Sequence, residues 1–323
     1  NDLGADMRCM DSLHVALVVP CYNEALTIAA VIEEFKAAVP TISVHVFDNN
    51  STDETAAVAR AAGATVHLVR AQGKGSVVRR MFADVDADLY VMVDGDATYS
   101  AANLKSHLTQ MVDERIDMLI GVRASTPGQS GQYRTGHRLG NLLLTRTAMW
   151  VFGGAFEDML SGYRIFSRRY AKSFPARSKG FETETELTVH ALEMSMPCAE
   201  VPVEYRARPE GSQSKLSTWR DGVRILRTIV RLLFTERPLL VFGSLAFALS
   251  IAAVLIAIPV IRDYLATGLV LRLPTAVLAT GLVLSGLLSG VCAVLLDQLT
   301  IARSELKHLA YLHLADAPSP HTG

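Results

Sequence analysis

The chain has 323 residues, half of them hydrophobic, with 31 basic against 32 acidic side chains and a formal net charge of -1. That balance excludes wholesale nucleic-acid binding, and a mean hydropathy of +0.26 is high for a wholly water-soluble protein. Cys9, Cys21, Cys198 and Cys292 are scattered without metal-ligand spacing, which fits a reducing compartment and no disulfide framework.

Residues 1–13 read as a polar tail with no signal-peptide h-region. From there short β-rich runs alternate with helical stretches. His14–Pro20 is an apolar run suited to a buried parallel strand, and Ala25–Val39 carries apolar residues at helical spacing. Ser43–Phe47 reads as a strand, Asp53–Ala62 as a helix and Thr65–Val69 as a strand. The alternation continues with a helix over Lys74–Asp84, a strand over Asp88–Val93, a helix over Ala101–Val112 and a strand over Asp117–Gly121. Such repetition predicts a parallel, doubly wound sheet covered by helices, with ligands at the carboxyl ends of the strands. A Gly/Ser/Thr/Pro-rich loop follows Arg123, then a helix near His137–Phe152, a strand at Tyr163–Ser167, a helix at Thr183–Met194 and an extended stretch at Ala199–Ala207. Arg208–Ser217 is polar and reads as a flexible loop.

The last third changes character. Leu239–Ile258 and Thr275–Leu296 run without a charge and each reaches the roughly 20 residues needed to span a bilayer core. The connector Pro259–Pro274 is short, which predicts a two-helix transmembrane hairpin over about 239–261 and 274–296 within residues 238–298. Arg220, Arg224, Arg227, Arg231 and Arg237 precede the first span and Arg303 and Lys307 follow the second, against Arg262 and Arg272 in the connector. The positive-inside rule then predicts a multi-pass protein of the cytoplasmic membrane, with residues 14–217 and the C-terminal tail 299–323 in the cytoplasm. Within residues 218–237 the arginines recur at spacings of four, three and four, as on an amphipathic helix lying on an anionic membrane surface. A solvated surface helix has the same spacing, but direct continuation into a span favours the interface.

Four polar clusters fall at predicted strand ends. Tyr90–Asp96 (YVMVDGD) ends in two carboxylates, Asp94 and Asp96, which converge if the backbone stays extended, while Gly95 admits a bulky ligand. Such a pair suits Mg²⁺ or Mn²⁺, ions that keep waters and share substrate phosphate oxygens. Val19–Glu24 (VPCYNE) follows the first strand, and Asp48–Glu54 (DNNSTDE) follows the second, with Asp48 placed to bond a base or ribose edge. Asp53 fits a helix cap better than a ligand. Gln72–Ser76 (QGKGS) presents Lys74 at a helix start, suited to a diphosphate; it is neither a P-loop nor a dinucleotide fingerprint.

In this order and spacing, VPCYNE, DNNSTD, GKG and the strand-terminal DGD resemble glycosyltransferase family 2. Asp158–Arg164 (DMLSGYR), GFETETEL, EVPVEYRAR and GSQSKL resemble its polyprenyl-phosphate glycosyltransferase and dolichyl-phosphate mannose synthase-like branch, over residues 14–237. The resemblance implies an α/β fold of GT-A type, Rossmann-like with a mostly parallel sheet. It implies an inverting, metal-dependent transfer from a nucleotide-diphosphate-sugar to a polyprenyl phosphate, for cell-envelope glycan synthesis or modification. Pro20, Tyr22, Glu24, Asp48, Lys74 and Asp94 would bind the donor, Asp94 and Asp96 the metal. Asp158 matches a proposed general base, grouped here with Asp96 and Arg164 as catalytic. A phosphate monoester with a second pKa of about 6 scarcely needs a base, so a positioning role for Asp158, towards Arg164 or the acceptor, is the other expectation. Arg123, Arg138, Arg208 and Lys215 are the cations expected between two mutually repelling phosphate groups. Glu184 and Glu186 read as helix-start carboxylates with no further role.

Two departures stand out. Thr98 occupies the position where many relatives carry glutamine, and the Q-x-x-R-W motif of processive synthases is absent. Two other functions fit the same motifs: transfer to a protein or soluble glycan from a membrane anchor, and a non-catalytic nucleotide-sugar-binding membrane module. A tetramer, as in relatives of this branch, is a further expectation, with Gly281, Ser285 and Ser289 as close-packing positions.

Overall fold

The computed structural model describes residues 13–125, 156–175, 183–209 and 233–314, together with 145, 146, 149, 153, 223, 226, 227, 230 and 231. The chain divides into two compact units, residues 1–228 with 307–323, and residues 229–306.

The first unit is built on a seven-stranded sheet. Its strands are β1 (Val15–Cys21), β2 (Ser43–Asp48), β3 (Thr65–Leu68), β4 (Leu89–Met92), β5 (Met118–Ser125), β6 (Arg164–Ser167) and β7 (Cys198–Tyr205). They lie in the order β3-β2-β1-β4-β6-β5-β7. Every pairing is parallel except those of β6, which runs antiparallel between β4 and β5. The sheet is thus mostly parallel, as the resemblance implies, and β6 is the strand whose direction the strand–helix alternation does not foretell. Buried on both faces, RIFS carries no pattern that fixes strand direction.

Alternation along β1 sorts the core into two layers. Val15, Leu17 and Val19 face helix α1 (Ile28–Ala38) and helix α4 (Leu104–Asp113), whose Ile28, Val31, Ile32 and Phe35, and Leu104, Leu108 and Met111, lie on one stripe of each helix. Ala16 and Val18 face α3 (Lys74–Asp84) through Val77, Val78, Met81 and Phe82, with α5 (Arg168–Ser173) and α6 (Thr183–Glu193) on the same side. Short α2 (Thr55–Ala61) links β2 to β3. Helices thus cover both faces and leave the carboxyl-end edge of the sheet for the polar clusters.

The second unit carries α7 (Pro238–Thr267) and most of α8 (Leu273–Leu312). Both are longer than expected. Pro259 is accommodated inside α7, which ends at left-handed Gly268, so the connector shrinks to residues 268–272. At 1.5 Å per residue the helices run about 45 and 60 Å, beyond a hydrocarbon core of about 30 Å. Residues 299–312, expected in a tail, continue α8.

Only 6% and 17% of the most apolar stretches of α7 and α8 are buried. Leucines and valines therefore point outward along both, which a soluble core helix does not do. The two helices meet at Gly286, where a Cβ would lie 3.2 Å from Ser250 Oγ and 3.3 Å from the Ala246 carbonyl. Gly281, expected as a packing position, has open space around it. The amphipathic stretch lies largely outside the described residues; at its described positions Val223, Leu226 and Val230 are exposed.

Candidate active site

The carboxyl ends of β1 and β2 are neighbours, with Pro20 opposite Phe47 and Cys21 opposite Asp48. Two loops leaving them are stitched together. Asn23, with φ 52°, donates its backbone N–H to Ser51 Oγ at 2.9 Å and accepts from Thr52 N at 2.7 Å. Glu24 N donates to Thr55 Oγ1, and Asp53 takes the N–H groups of Ala25 and Thr55. Asp53 is thus a structural acceptor. Around this stitch Asp48 is buried, Glu24 half-buried and Tyr22 exposed, which groups Pro20, Tyr22, Glu24 and Asp48 at one edge.

The DGD segment lies beside them. Strand β4 stops at Met92, and Gly95–Asp96 form a turn followed by Ala97 with φ 57°, so strand alternation does not bring the two carboxylates together. Each is placed by a specific partner instead. A Cβ on Gly95 would lie 2.8 Å from Cys21 Sγ, so the close approach this glycine permits is that of the β1 end, and Thr27 Oγ1 holds its carbonyl at 2.6 Å.

Lys74, opening α3, donates to Asp94 Oδ1 at 2.6 Å and pairs with Glu184 Oε1 at 2.6 Å. Burial works against the charged ammonium, but the two carboxylates outweigh it and hold the Lys74 pKa above its ordinary value. On the other side of Asp94, a Cβ at Gly162 would fall 2.1 Å from Oδ2. Gly162 is fixed by its N–H on the buried Tyr99 hydroxyl at 2.8 Å. Asp96 is buried; its Oδ1 accepts from Thr98 Oγ1 at 2.6 Å and its Oδ2 pairs with Arg208 at 2.5 Å. Arg208 reaches it because β7 is tied to the DGD loop by Arg206 N on the Thr98 carbonyl and Ser100 N on the Glu204 carbonyl.

Arg123, on β5, and Asp158 form a bidentate pair, Nε to Oδ2 at 2.6 Å and Nη2 to Oδ1 at 2.8 Å. Glu200 of β7 holds the Asp158 loop by accepting the N–H groups of Glu157 and Asp158, and burial raises its pKa. Both Asp158 oxygens are thus committed to Arg123, and the expected Asp158–Arg164 partnership gives way to this one.

Arg164 is corrected as well. It is fully buried, with Nη2 on the carbonyls of Met159 and Glu184, Nε on that of Ser161 and Nη1 on Thr188 Oγ1. Burial lowers its pKa. A guanidinium so enclosed ties the loop before β6 to the start of α6. Arg138 and Lys215 lie outside the described residues.

Among the described residues there is no group of three or more His, Cys, Asp or Glu placed to enclose a metal. The donor set still fits a divalent ion. Asp96 and Asp94 already attract a guanidinium and an ammonium, and two carboxylates suffice for an ion that completes its shell with water and phosphate oxygens. Sequence reasoning missed the Lys74–Glu184 contact, Tyr99 and Gly162; only Gly162 left a signal, as the glycine inside DMLSGYR.

The model of Glycosyl transferase family 2 matches residues 16–174. Glycosyltransferase AglJ of Haloferax volcanii is 37% identical over 235 residues, covering 72% of this chain and 77% of that protein. Dolichyl-phosphate hexose transferase of the same organism is 27% identical over 223 residues, covering 69% and 95%. In fold the chain is similar to glucosyl-3-phosphoglycerate synthase from Mycobacterium tuberculosis, solved in complex with Mn²⁺, uridine-diphosphate and phosphoglyceric acid. The TM-score is 0.52 at 22% identity, over 72% of this chain and 81% of that one.

Proposed function

Because the chain belongs to glycosyl transferase family 2, we propose that it moves a sugar from a nucleotide-diphosphate-sugar to a polyprenyl phosphate at the cytoplasmic face of a membrane. The observation that carries this reading is a set of carboxylates, each held by a protein cation, at the carboxyl-end edge of the sheet. Asp94 and Asp96 are held by Lys74 and Arg208, and Arg123 is braced by Asp158 close by. A relative named for a dolichyl-phosphate acceptor, and two exposed apolar helices long enough to cross a bilayer, support a lipid phosphate over a soluble acceptor.

Pro20, Tyr22, Glu24 and Asp48 receive the nucleoside. Asp94 and Asp96 would hold Mg²⁺ or Mn²⁺, which when bound supplies positive charge at the leaving diphosphate. An oxygen of the acceptor phosphate attacks the anomeric carbon from the face opposite the diphosphate. The bond from that carbon to the diphosphate oxygen breaks, and the electron pair leaves with the nucleoside diphosphate. With a second pKa of about 6 the attacking phosphate is already ionised near neutral pH. Asp158 is therefore a positioning residue that holds the Arg123 fork towards the acceptor phosphate. Arg208 exchanges Asp96 for phosphate oxygens when substrates enter. In the membrane, the arginines before α7 and the basic residues after the apolar part of α8 favour the cytoplasmic side.

The test is a donor panel: the full chain in detergent with undecaprenyl phosphate, Mg²⁺ or Mn²⁺, and uridine, guanosine and cytidine diphosphate sugars. One sugar on the lipid by mass spectrometry, lost with chelator, supports the proposal. Transfer of sugar to protein or to soluble glycan with none on the lipid contradicts it.

A further inference from the structure

Glu184 is a buried carboxylate that the reaction above does not use. It opens α6, only 4% exposed, and its Oε1 sits 2.6 Å from Lys74 Nζ. Its other oxygen, Oε2, is buried with no hydrogen-bond partner among the described residues. An unsatisfied buried carboxylate oxygen is costly, and persists where a ligand completes it. Through the shared ammonium, the near oxygens of Glu184 and Asp94 come within about 5 Å of one another. The orphan is thus beside the residue assigned to the donor, not in a remote part of the core.

The chemistry of what completes it follows by elimination. Phosphate oxygens are excluded, since a third and fourth anion would meet two carboxylates that share one lysine. A cation at Oε2 itself has little call, because Lys74 already neutralises Glu184 through Oε1. A neutral O–H or N–H donor remains, and the part of a nucleotide-sugar that adjoins its diphosphate and carries such groups is the sugar ring. Resting on the donor reading above, we infer that Glu184 is a specificity-determining residue whose free oxygen accepts a hydrogen bond from a hydroxyl of the donor sugar. Lys74 locks the other oxygen, and with it the direction from which that hydroxyl is read. A site built to bond a hydroxyl rejects the analogue that lacks it far more strongly than an apolar pocket distinguishes shapes.

Binding to the full chain in detergent with Mg²⁺ tests this by calorimetry. The probes are UDP-glucose, UDP-galactose, UDP-N-acetylglucosamine and GDP-mannose, the free diphosphates UDP and GDP, and the monodeoxy analogues of whichever sugar binds. The wild-type chain should bind one sugar donor and penalise the analogue lacking one particular hydroxyl. Glu184→Gln should keep the affinity for the free nucleoside diphosphate within about twofold while that single penalty shrinks about 10- to 100-fold. If Glu184→Gln loses nucleoside diphosphate binding as well, Glu184→Asp decides. It keeps the charge for Lys74 but withdraws the free oxygen, and should lose the same discrimination. A variant that binds diphosphate and penalises every analogue as the wild type does overturns the inference and leaves the donor reading intact, the orphan oxygen then being met by a buried water. A wild-type chain that binds none of these sugar donors, no cytidine diphosphate sugar and none of the free nucleoside diphosphates removes the donor reading, and this inference with it.

Discussion

Removing either half of the Arg123–Asp158 pair should cost as much as removing both. The two bonds, 2.6 and 2.8 Å long, join side chains that are 20% and 7% exposed. At about 4 Å between charge centres and an effective dielectric near 20, the gross attraction is about 4 kcal/mol, and much of it is offset by desolvation. Breaking such a pair leaves one buried charge uncompensated, at about 3–5 kcal/mol. Arg123→Gln, Asp158→Asn and the double variant form a thermodynamic cycle, read both in single-turnover sugar transfer and in thermal unfolding. The singles should each lose at least about 100-fold in rate, and the double should lose little more than the worse single, a coupling of about 2 kcal/mol or greater. Because the acceptor phosphate is already ionised, Asp158→Asn should also leave the pH–rate profile unshifted above pH 7. Additive losses, or a profile in which Asp158→Asn abolishes a limb near neutrality, would refute the positioning role and restore Asp158 as a base.

Other perturbations test the same geometry. Gly162→Ala should drive Asp94 off Lys74, because its Cβ would fall 2.1 Å from Oδ2. Loss of one charge-assisted bond predicts a 10- to 150-fold drop in transfer, by about 1.5–3 kcal/mol, with thermal unfolding little changed. Arg164→Met should instead destabilise by about 3 kcal/mol or more, since it strips partners from three buried carbonyls. Arg164→Lys should not rescue it, as an ammonium cannot reproduce the fork. Near the β3 edge of the sheet, burial together with His67 and His14 pushes the His45 pKa down to about 4. The folded state therefore favours neutral His45, so its contribution is complete above about pH 6.5 and is lost as the pH falls towards 4. His45→Gln should flatten the dependence of melting temperature on pH across that window, and an unchanged slope would contradict the assignment.

The alternation of strands and helices was legible from His14 to Gly121 because each segment carries its own periodicity, as in α1, where Ile28, Val31, Ile32 and Phe35 form one stripe. The carboxyl-end clusters were legible for a related reason, since VPCYNE, DNNSTD and DGD each follow a strand. What escaped depends on contacts between distant parts of the chain. Arg164 was expected at the site because it ends the DMLSGYR segment that carries the resemblance, and its acceptors at Met159, Ser161, Glu184 and Thr188 are chosen only by the fold. Glu184 looked like an ordinary helix-start acid, and only the folded chain brings Lys74 to it. The ends of α7 and α8 were set short because Pro259 and the charges after Leu296 read as stops, whereas long helices outside a packed core carry both.

An acceptor that is a lipid phosphate is tested most sharply by offering one active donor three acceptors in parallel. These are undecaprenyl phosphate, undecaprenol without the phosphate, and phosphoglyceric acid as a soluble phosphate. Transfer to undecaprenyl phosphate alone, with inversion at the anomeric carbon read from the proton coupling of the product, is the expected result. Equal or faster transfer to the phosphate-free lipid or to phosphoglyceric acid would contradict the account.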